Sequence, residues 1–152
     1  MNKDNIIYRP LLPEDACEMH KTDLECFSVP WSEQTFFNEA NNPLACYIVA
    51  QADDEIAGYI GFLKVLDEGQ ITNVAVKEKH RQKKIASTLL NKAIQSAKDY
   101  ELSILNLEVR DSNFAAISLY KKYGFYEIGR RKNYYKNPTE DAILMELKIR
   151  EE

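Results

Sequence analysis

The amino-acid sequence predicts an α+β fold, a mixed and mostly antiparallel sheet flanked by about four helices, with one pair of parallel strands. Three observations predict it. The strand-like runs "ACYIVAQ", "EIAGYIGFLKVL" and "QITNVAV" follow one another with only the turn signals Asp53-Asp54 and Asp67-Glu68-Gly69 between them, the pattern of an antiparallel meander. Ile85 to Tyr100 then carries Ile85, Leu89, Leu90, Ala93, Ile94 and Ala97 on one side of a helix and leads into the strand Ser103 to Val109. Strand, helix, strand at that spacing is a right-handed crossover between parallel neighbours. Last, "FYEIGRRKNYY" and "AILMELKI", separated by the turn "KNPTED", read as a closing hairpin.

The remaining elements follow in order. Ile6 to Arg9 is a short strand. Pro13, Glu14 and Asp15 suit the first turn of a helix that Ala16, Met19, Leu24 and Phe27 continue. Ser32 caps a second short helix, which Asn41, Asn42 and Pro43 stop. After the parallel strand, Ala116, Ile117, Tyr120 and Tyr123 form a helical stripe that Gly124 ends.

Composition narrows the function. With 152 residues, 45% of them hydrophobic, the chain is expected to be one domain, 1–152, within the usual range of roughly 100 to 200 residues. Net charge is -4, and the 20 Lys and Arg are scattered among 24 acids, so no basic stripe tracks a phosphate backbone and direct nucleic-acid binding is not expected. Cys17, Cys26 and Cys46 form no C-x-x-C pair and read as reduced thiols of a cytosolic protein. With only His20 and His80, a metal site has little support, and both histidines read as structural or solvated. No apolar run approaches the roughly 20 residues of a membrane span. The start "MNKDNIIYRP" lacks a signal peptide's apolar core, so the expected location is the cytoplasm, away from membranes.

Two stretches carry chemistry. In "NLEVRDSNFAAISLYKKYGF", Leu105, Leu107 and Val109 alternate as one face of a half-buried strand, and Glu108 stands between them, where burial penalises its charge. The acid lies near a strand's C-terminal end, just before a helix, the edge of an α/β sheet where ligands bind. In "AVKEKHRQKKIASTLL" a helix start offers free N–H groups and a positive dipole end, with Arg81, Lys83 and Lys84 adding charge, as an anion cradle would. The plainer alternatives are an ion pair of Glu108 with a neighbour such as Arg110, and a solvated basic loop.

These residues resemble the GNAT acyl-CoA N-acyltransferases and, within them, the RimI-type enzymes that acetylate a ribosomal protein's N-terminal alanine. The resemblance covers nearly the whole chain: "VPWSEQTF" at the entry to the second helix, "NVAV" as the cofactor-side strand, "RQKKIASTLL" as the pyrophosphate loop, and most specifically "LEVRDSNFAAISLYKKYGF" and "RRKNYY" followed by "EDAILM". It implies acetyl-CoA as donor, contacted by Val74, Ala75, Val76, Arg81, Gln82, Lys83, Lys84, Ile85, Ala86, Ser87 and Asn113. It also implies a parallel strand pair forming the acetyl-CoA site, and an acceptor that is the N-terminus of a small-subunit ribosomal protein. Trp31, Tyr134 and Tyr135 are its candidates for acceptor binding, although each also suits the core. One position departs from the pattern. The loop usually has a glycine where Lys84 stands, while Arg81 and Ala86 fit. A lysine at a helix start is expected to take negative φ and leave the backbone donors in place.

The transfer requires a neutral amine, a place for the developing oxyanion and a proton for the departing thiolate. A protein α-amine titrates near ~8 and a lysine side chain near ~10.4, so a carboxylate base suffices more easily for the α-amine. Glu108 suits the base, directly or through a water. Tyr120, twelve residues on as in the family, suits the acid, since a phenol is protonated at neutral pH. A backbone N–H of "NVAV" would serve the oxyanion, and Asn113 also suits a helix cap. The acidic balance suits a basic ribosomal protein. Two other activities fit the same motifs: transfer to a small-molecule amine or a lysine, and a non-catalytic acyl-CoA-binding or interaction module.

Overall fold

A computed structural model describes residues 5–150. One seven-stranded sheet runs through it in the order β1-β2-β3-β4-β5-β7-β6, with β1 at Ile6–Pro10, β2 at Ala45–Ala52, β3 at Glu55–Val65, β4 at Glu68–Val76, β5 at Ile104–Arg110, β6 at Tyr126–Tyr135 and β7 at Glu140–Lys148. Every neighbouring pair is antiparallel except β4 and β5. The second meander turn is tighter than expected. Glu68 and Gly69 already pair in β4, and Leu66, with φ of 57°, makes the reversal with Asp67.

Among the described residues four α-helices cover the sheet: α1 at Ala16–Cys26, α2 at Glu33–Ala40, α3 at Ile85–Asp99 and α4 at Phe114–Lys122. The first expected helix divides, because Pro13–Asp15 forms a separate 3-10 turn before α1. Asp15 stops that turn by accepting from Leu12 N at 2.8 Å and from the Arg9 guanidinium at 2.8 and 2.9 Å. Ser32 caps α2 as its side chain implies, Oγ accepting from Thr35 N at 3.1 Å. Gly124, at φ of 100°, ends α4 in the left-handed region that favours glycine.

The apolar stripes decide which face each helix covers. Leu89, Leu90, Ala93 and Ala97 of α3 and Tyr120 of α4 bury against Ile60, Phe62, Leu105, Leu107, Val109 and Met145 on one face. Met19 of α1 and Phe36 of α2 bury against Tyr47, Val49, Tyr59 and Ala75 on the other. Each fully buried large side chain contributes roughly 1.5 to 3 kcal/mol, so both layers are held mainly by the hydrophobic effect.

The entry to α3 departs from expectation. Lys84 has φ of 62° and ψ of 23°, left-handed rather than helical, and Gln82 also has positive φ, at 66°. There a β-carbon crowds the following carbonyl at a cost of roughly 1 to 2 kcal/mol, which glycine avoids. The glycine usual at this place in the resembling motif is thereby explained. Lys84→Gly should raise stability by about 0.5 to 1 kcal/mol after the added freedom of the unfolded chain is subtracted. In a thermal melt that is a rise of about 1 to 4 °C. A fall would show that the lysine side chain contributes more than its backbone strain costs.

Candidate active site

The site begins where the parallel pair comes apart. β4 and β5 are joined only over Glu68 opposite Ile104, Gly69 opposite Leu105 and Gln70 opposite Asn106. Beyond that, β4 continues along β3 and β5 along β7, so a wedge opens between them. A bulge shapes its β4 side. Asn73 lies opposite Gly61 and Ile71 opposite Phe62, which makes Thr72 the extra residue. Thr72 Oγ1 donates to Gly61 O at 3.3 Å and lies 3.2 Å from the Tyr47 hydroxyl. Gly61 allows this, since a β-carbon there would stand 2.2 Å from the Tyr47 ring.

On the α3 face, a cavity of about 290 Å³ is lined by Val76, Arg81, Gln82, Lys84, Ile85, Ala86 and Ser87, all singled out in the sequence, and by His80 and Leu119, which were not. The first N–H groups of α3 have no partner within the helix, and the two left-handed residues curl the loop before it, as in backbone anion nests. Arg81 Nε donates to Val76 O at 3.0 Å, tying the loop to the end of β4. Ser87 Oγ lies 2.9 Å from the Tyr123 hydroxyl, tying α3 to α4. Lys83 turns from the cavity lining toward His80, its Nζ 3.3 Å from Nδ1. His80 is buried rather than solvated, with Nε2 2.9 Å from Glu55. Lys79 and His80 hold the Glu55 carboxyl down to about 2. Val74 packs on the α3 face and Ala75 on the opposite one, so both contribute to the wedge through β4 itself. Asn113 caps α4, Oδ1 accepting from Ala116 N at 3.2 Å.

Glu108 and Tyr120 flank the wedge from opposite faces. Leu105, Leu107 and Val109 of β5 face α3 and α4, so Glu108 between them faces the other way. Its setting is less apolar than expected: the side chain is 21% exposed and Oε2 lies 2.8 Å from Arg131 Nε. The partner is not Arg110, whose guanidinium donates to Glu140, Lys136 O and Pro138 O and stacks 4.5 Å from the Tyr135 ring centre. Tyr120 is buried at 6% exposure, its ring 5.6 Å from that of Phe125. Burial first, and the nearby Tyr135, push its pKa up, so the phenol keeps its proton well above neutral pH.

Tyr134 and Tyr135 do not alternate across a regular strand. Between Arg131 opposite Ala142 and Tyr135 opposite Glu140, β6 bulges, with Asn133 at φ of 53° and its N–H donating to Asp141 Oδ1 at 3.0 Å. The two rings therefore meet edge to face, 5.2 Å apart. Tyr135 is half-buried, and burial, followed by the Glu108 charge, pushes its pKa up to about 12. Tyr134 is exposed, with its phenol against Glu108, whose charge is the main cause of its raised pKa. Trp31 packs at the margin of the α1 and α2 layer, its ring 5.6 Å from Phe36. Its backbone is fixed on both sides: N donates to the buried Asp23 at 3.0 Å, and O lies 2.7 Å from His20 Nδ1.

Sequence reasoning missed Arg131, His80 and Leu119 as site residues. Arg131 lies inside the quoted "RRKNYY", but strand spacing does not say which of two arginines a bulge will aim at a distant acid. Among the described residues no cluster of His, Cys, Asp or Glu could hold a metal ion, and no helix is long and apolar enough to cross a membrane.

The chain is similar to known proteins over most of its length. A Bacillus subtilis protein that carries the provisional name [ribosomal protein bS18]-alanine N-acetyltransferase is 38% identical over 150 residues, 98% of this chain and 99% of that protein. The [ribosomal protein bS18]-alanine N-acetyltransferase of Salmonella typhimurium is 41% identical over 125 residues, covering 79% of this chain and 82% of its own length. The crystal structure of the ribosomal-protein-S18-alanine N-acetyltransferase from Escherichia coli superposes with a TM-score of 0.90 at 30% identity, over 97% of this chain and 96% of that one. The family model described as Acetyltransferase (GNAT) family matches residues 16–125, from α1 through α4, and the chain belongs to that family.

Proposed function

We propose that the chain is a protein N-terminal acetyltransferase that moves an acetyl group from acetyl-CoA to the N-terminal alanine of a small-subunit ribosomal protein, of the bS18 kind for which its relatives are named. The observation that carries this reading is the wedge between β4 and β5, with Glu108 on one face and the buried Tyr120 on the other. A donor entering from the α3 face and an acceptor from the α1 face meet there.

The residues present fit acetyl-CoA. The curled loop and first turn of α3 offer backbone N–H groups and the charge of Arg81 to the pyrophosphate, beside the cavity that Val76, Ile85, Ala86 and Leu119 wall. Bound there, the thioester supplies an activated acetyl carbon. Val74, Ala75 and Val76 bring the β4 edge, freed from β5, to its carbonyl oxygen, and Asn113 lies at the start of α4 as a further contact. Glu108 takes a proton from the α-ammonium, directly or through a water, and the freed lone pair attacks the acetyl carbon. As the C–N bond forms and the C–S bond breaks, Tyr120 gives its proton to the leaving sulfur. In the whole reaction the ammonium loses two protons, one ending on the CoA thiol and one in solvent, and Tyr120 is reprotonated. Trp31, Tyr134 and Tyr135 border the acceptor's approach on the face of Glu108. On this reading the enzyme works in the cytoplasm, where ribosomal proteins are made.

The deciding experiment incubates the chain with acetyl-CoA and an alanine-initiated peptide containing lysines, followed by mass spectrometry. Acetyl should appear on the α-amine and vanish when that amine is blocked. Label confined to lysines would favour a lysine acetyltransferase, and no turnover or acetyl-CoA binding would favour a non-catalytic module.

Two substitutions test the assigned roles. Glu108→Gln keeps the shape of β5 and should lower kcat by about 10²- to 10⁴-fold with acetyl-CoA affinity retained. Turnover near the native rate at neutral pH would remove Glu108 from the chemistry. Tyr120→Phe deletes one hydroxyl from a packed ring, so the fold should survive while kcat drops by about tenfold or more. Native turnover under conditions where chemistry limits the rate would count against the acid role.

A further inference from the structure

Of the two buried side-chain atoms that find no hydrogen-bond partner among the described residues, Glu39 Oε2 and Asn73 Oδ1, the second belongs to β4, where the wedge opens. Asn73 Oδ1 is buried and accepts no hydrogen bond among the described residues. Buried acceptors are rarely left unpaired, and one at the mouth of a site is what a donor on a ligand would satisfy.

Its place follows from the strand registers. From the last parallel pair, Gln70 opposite Asn106, two further residues along β5 reach Glu108. Two residues along β4 plus the bulged Thr72 reach Asn73. The two side chains therefore stand level across the wedge. They also share a face. Asn73 lies opposite Gly61, two residues from the pair of Tyr59 and Ala75, both of which bury against α1 and α2. Glu108 alternates with Leu107 and Val109, which bury on the α3 side.

A buried hydroxyl lies below the amide. The Tyr59 hydroxyl donates to Asp23 Oδ1 at 2.5 Å, so the phenol oxygen is left to accept. The Asn73 side chain lies near that phenol, and with its NH2 end turned toward Tyr59 its Oδ1 is left as the unpaired acceptor. Asp23 is itself fully buried, and its other oxygen accepts from Trp31 N at 3.0 Å, so the same carboxylate holds both the Tyr59 phenol and the loop bordering the acceptor's path.

We infer that Asn73 anchors the reacting amine, its Oδ1 accepting one N–H while Glu108, level with it across the wedge, removes the proton from another. The inference rests on the α-amine reading above. Held by two groups from two strands, the nitrogen has its lone pair directed into the wedge. Asn73 thus binds the acceptor, and Tyr59 and Asp23 are positioning residues that act through it.

Kinetics and binding with Asn73→Ala test this. With the alanine-initiated peptide, kcat/KM should fall by about tenfold to a hundredfold, the range expected for a lost hydrogen bond to a charged or reacting group. The KM for acetyl-CoA should stay within about twofold. In calorimetric titrations with CoA present, the native chain should prefer the free-amine peptide over its N-acetylated form, and Asn73→Ala should lose that preference. A structural role would lower stability without removing that preference. Asn73→Leu, which keeps the shape without the acceptor, takes its place should the alanine variant fail to fold. Native acetylation with kcat/KM and preference unchanged in the variant overturns the inference alone. Absence of N-terminal acetylation by the native chain overturns the functional reading and the inference with it.

Discussion

The structure depends on how briefly β4 and β5 are paired. Three residue pairs hold them together, and the bulge at Thr72 and the outward course of β5 along β7 then part them. Interior strands of a sheet normally satisfy each other's backbone groups along their length. Here the β4 edge from Ile71 and the β5 edge from Leu107 are released from each other near the middle of the sheet, and such an edge is a ready partner for a ligand. The closed end is kept shut by packing. Gly69 lies so near Leu105 that a β-carbon would come within 2.6 Å of the leucine side chain.

The wedge also divides the two layers by chemistry. The α3 side is an almost wholly apolar layer ending in a basic, strained loop, and it offers a wall and an anion cradle. On the α1 side, polar groups interrupt the apolar layer: the Tyr59 hydroxyl bonds Asp23, the Tyr47 hydroxyl lies against Thr72, and Asn73 stands beside them. Burying Asp23 raises its pKa and costs free energy, which the short bond from Tyr59 and the bond from Trp31 N offset in part. Such hydrogen-bonded pairs orient groups more sharply than apolar packing does, because donor and acceptor must face each other. Tyr120 stands among apolar neighbours on the opposite side, where its proton is retained.

Much of this was legible along the chain. Period-two and period-3.6 patterns identified the strands and helices, and the crossover spacing gave the one parallel pair. Ser32 and Gly124 marked helix ends because each has a local reason to be there, a hydroxyl for a free N–H and a backbone free to take positive φ. Glu108 stood out as an acid breaking an apolar alternation. Where expectation failed, the cause was a backbone detail that composition does not encode. Lys84 takes the left-handed conformation that its side chain disfavours, and Tyr134 and Tyr135 meet because β6 bulges at Asn133.

The sequence by itself determined the elements, their order and the residue types available for the chemistry, since these follow from short-range periodicity, capping and turn geometry. Tertiary structure alone decided which groups meet. Arg131, and not the nearer Arg110, reaches Glu108. His80 is buried against Glu55, and the Tyr59 hydroxyl reaches Asp23. Each of those pairings joins residues more than twenty positions apart through strand register, and one bulged residue shifts a register by a whole side chain. No local pattern carries that information, because it is fixed only when the strands have paired.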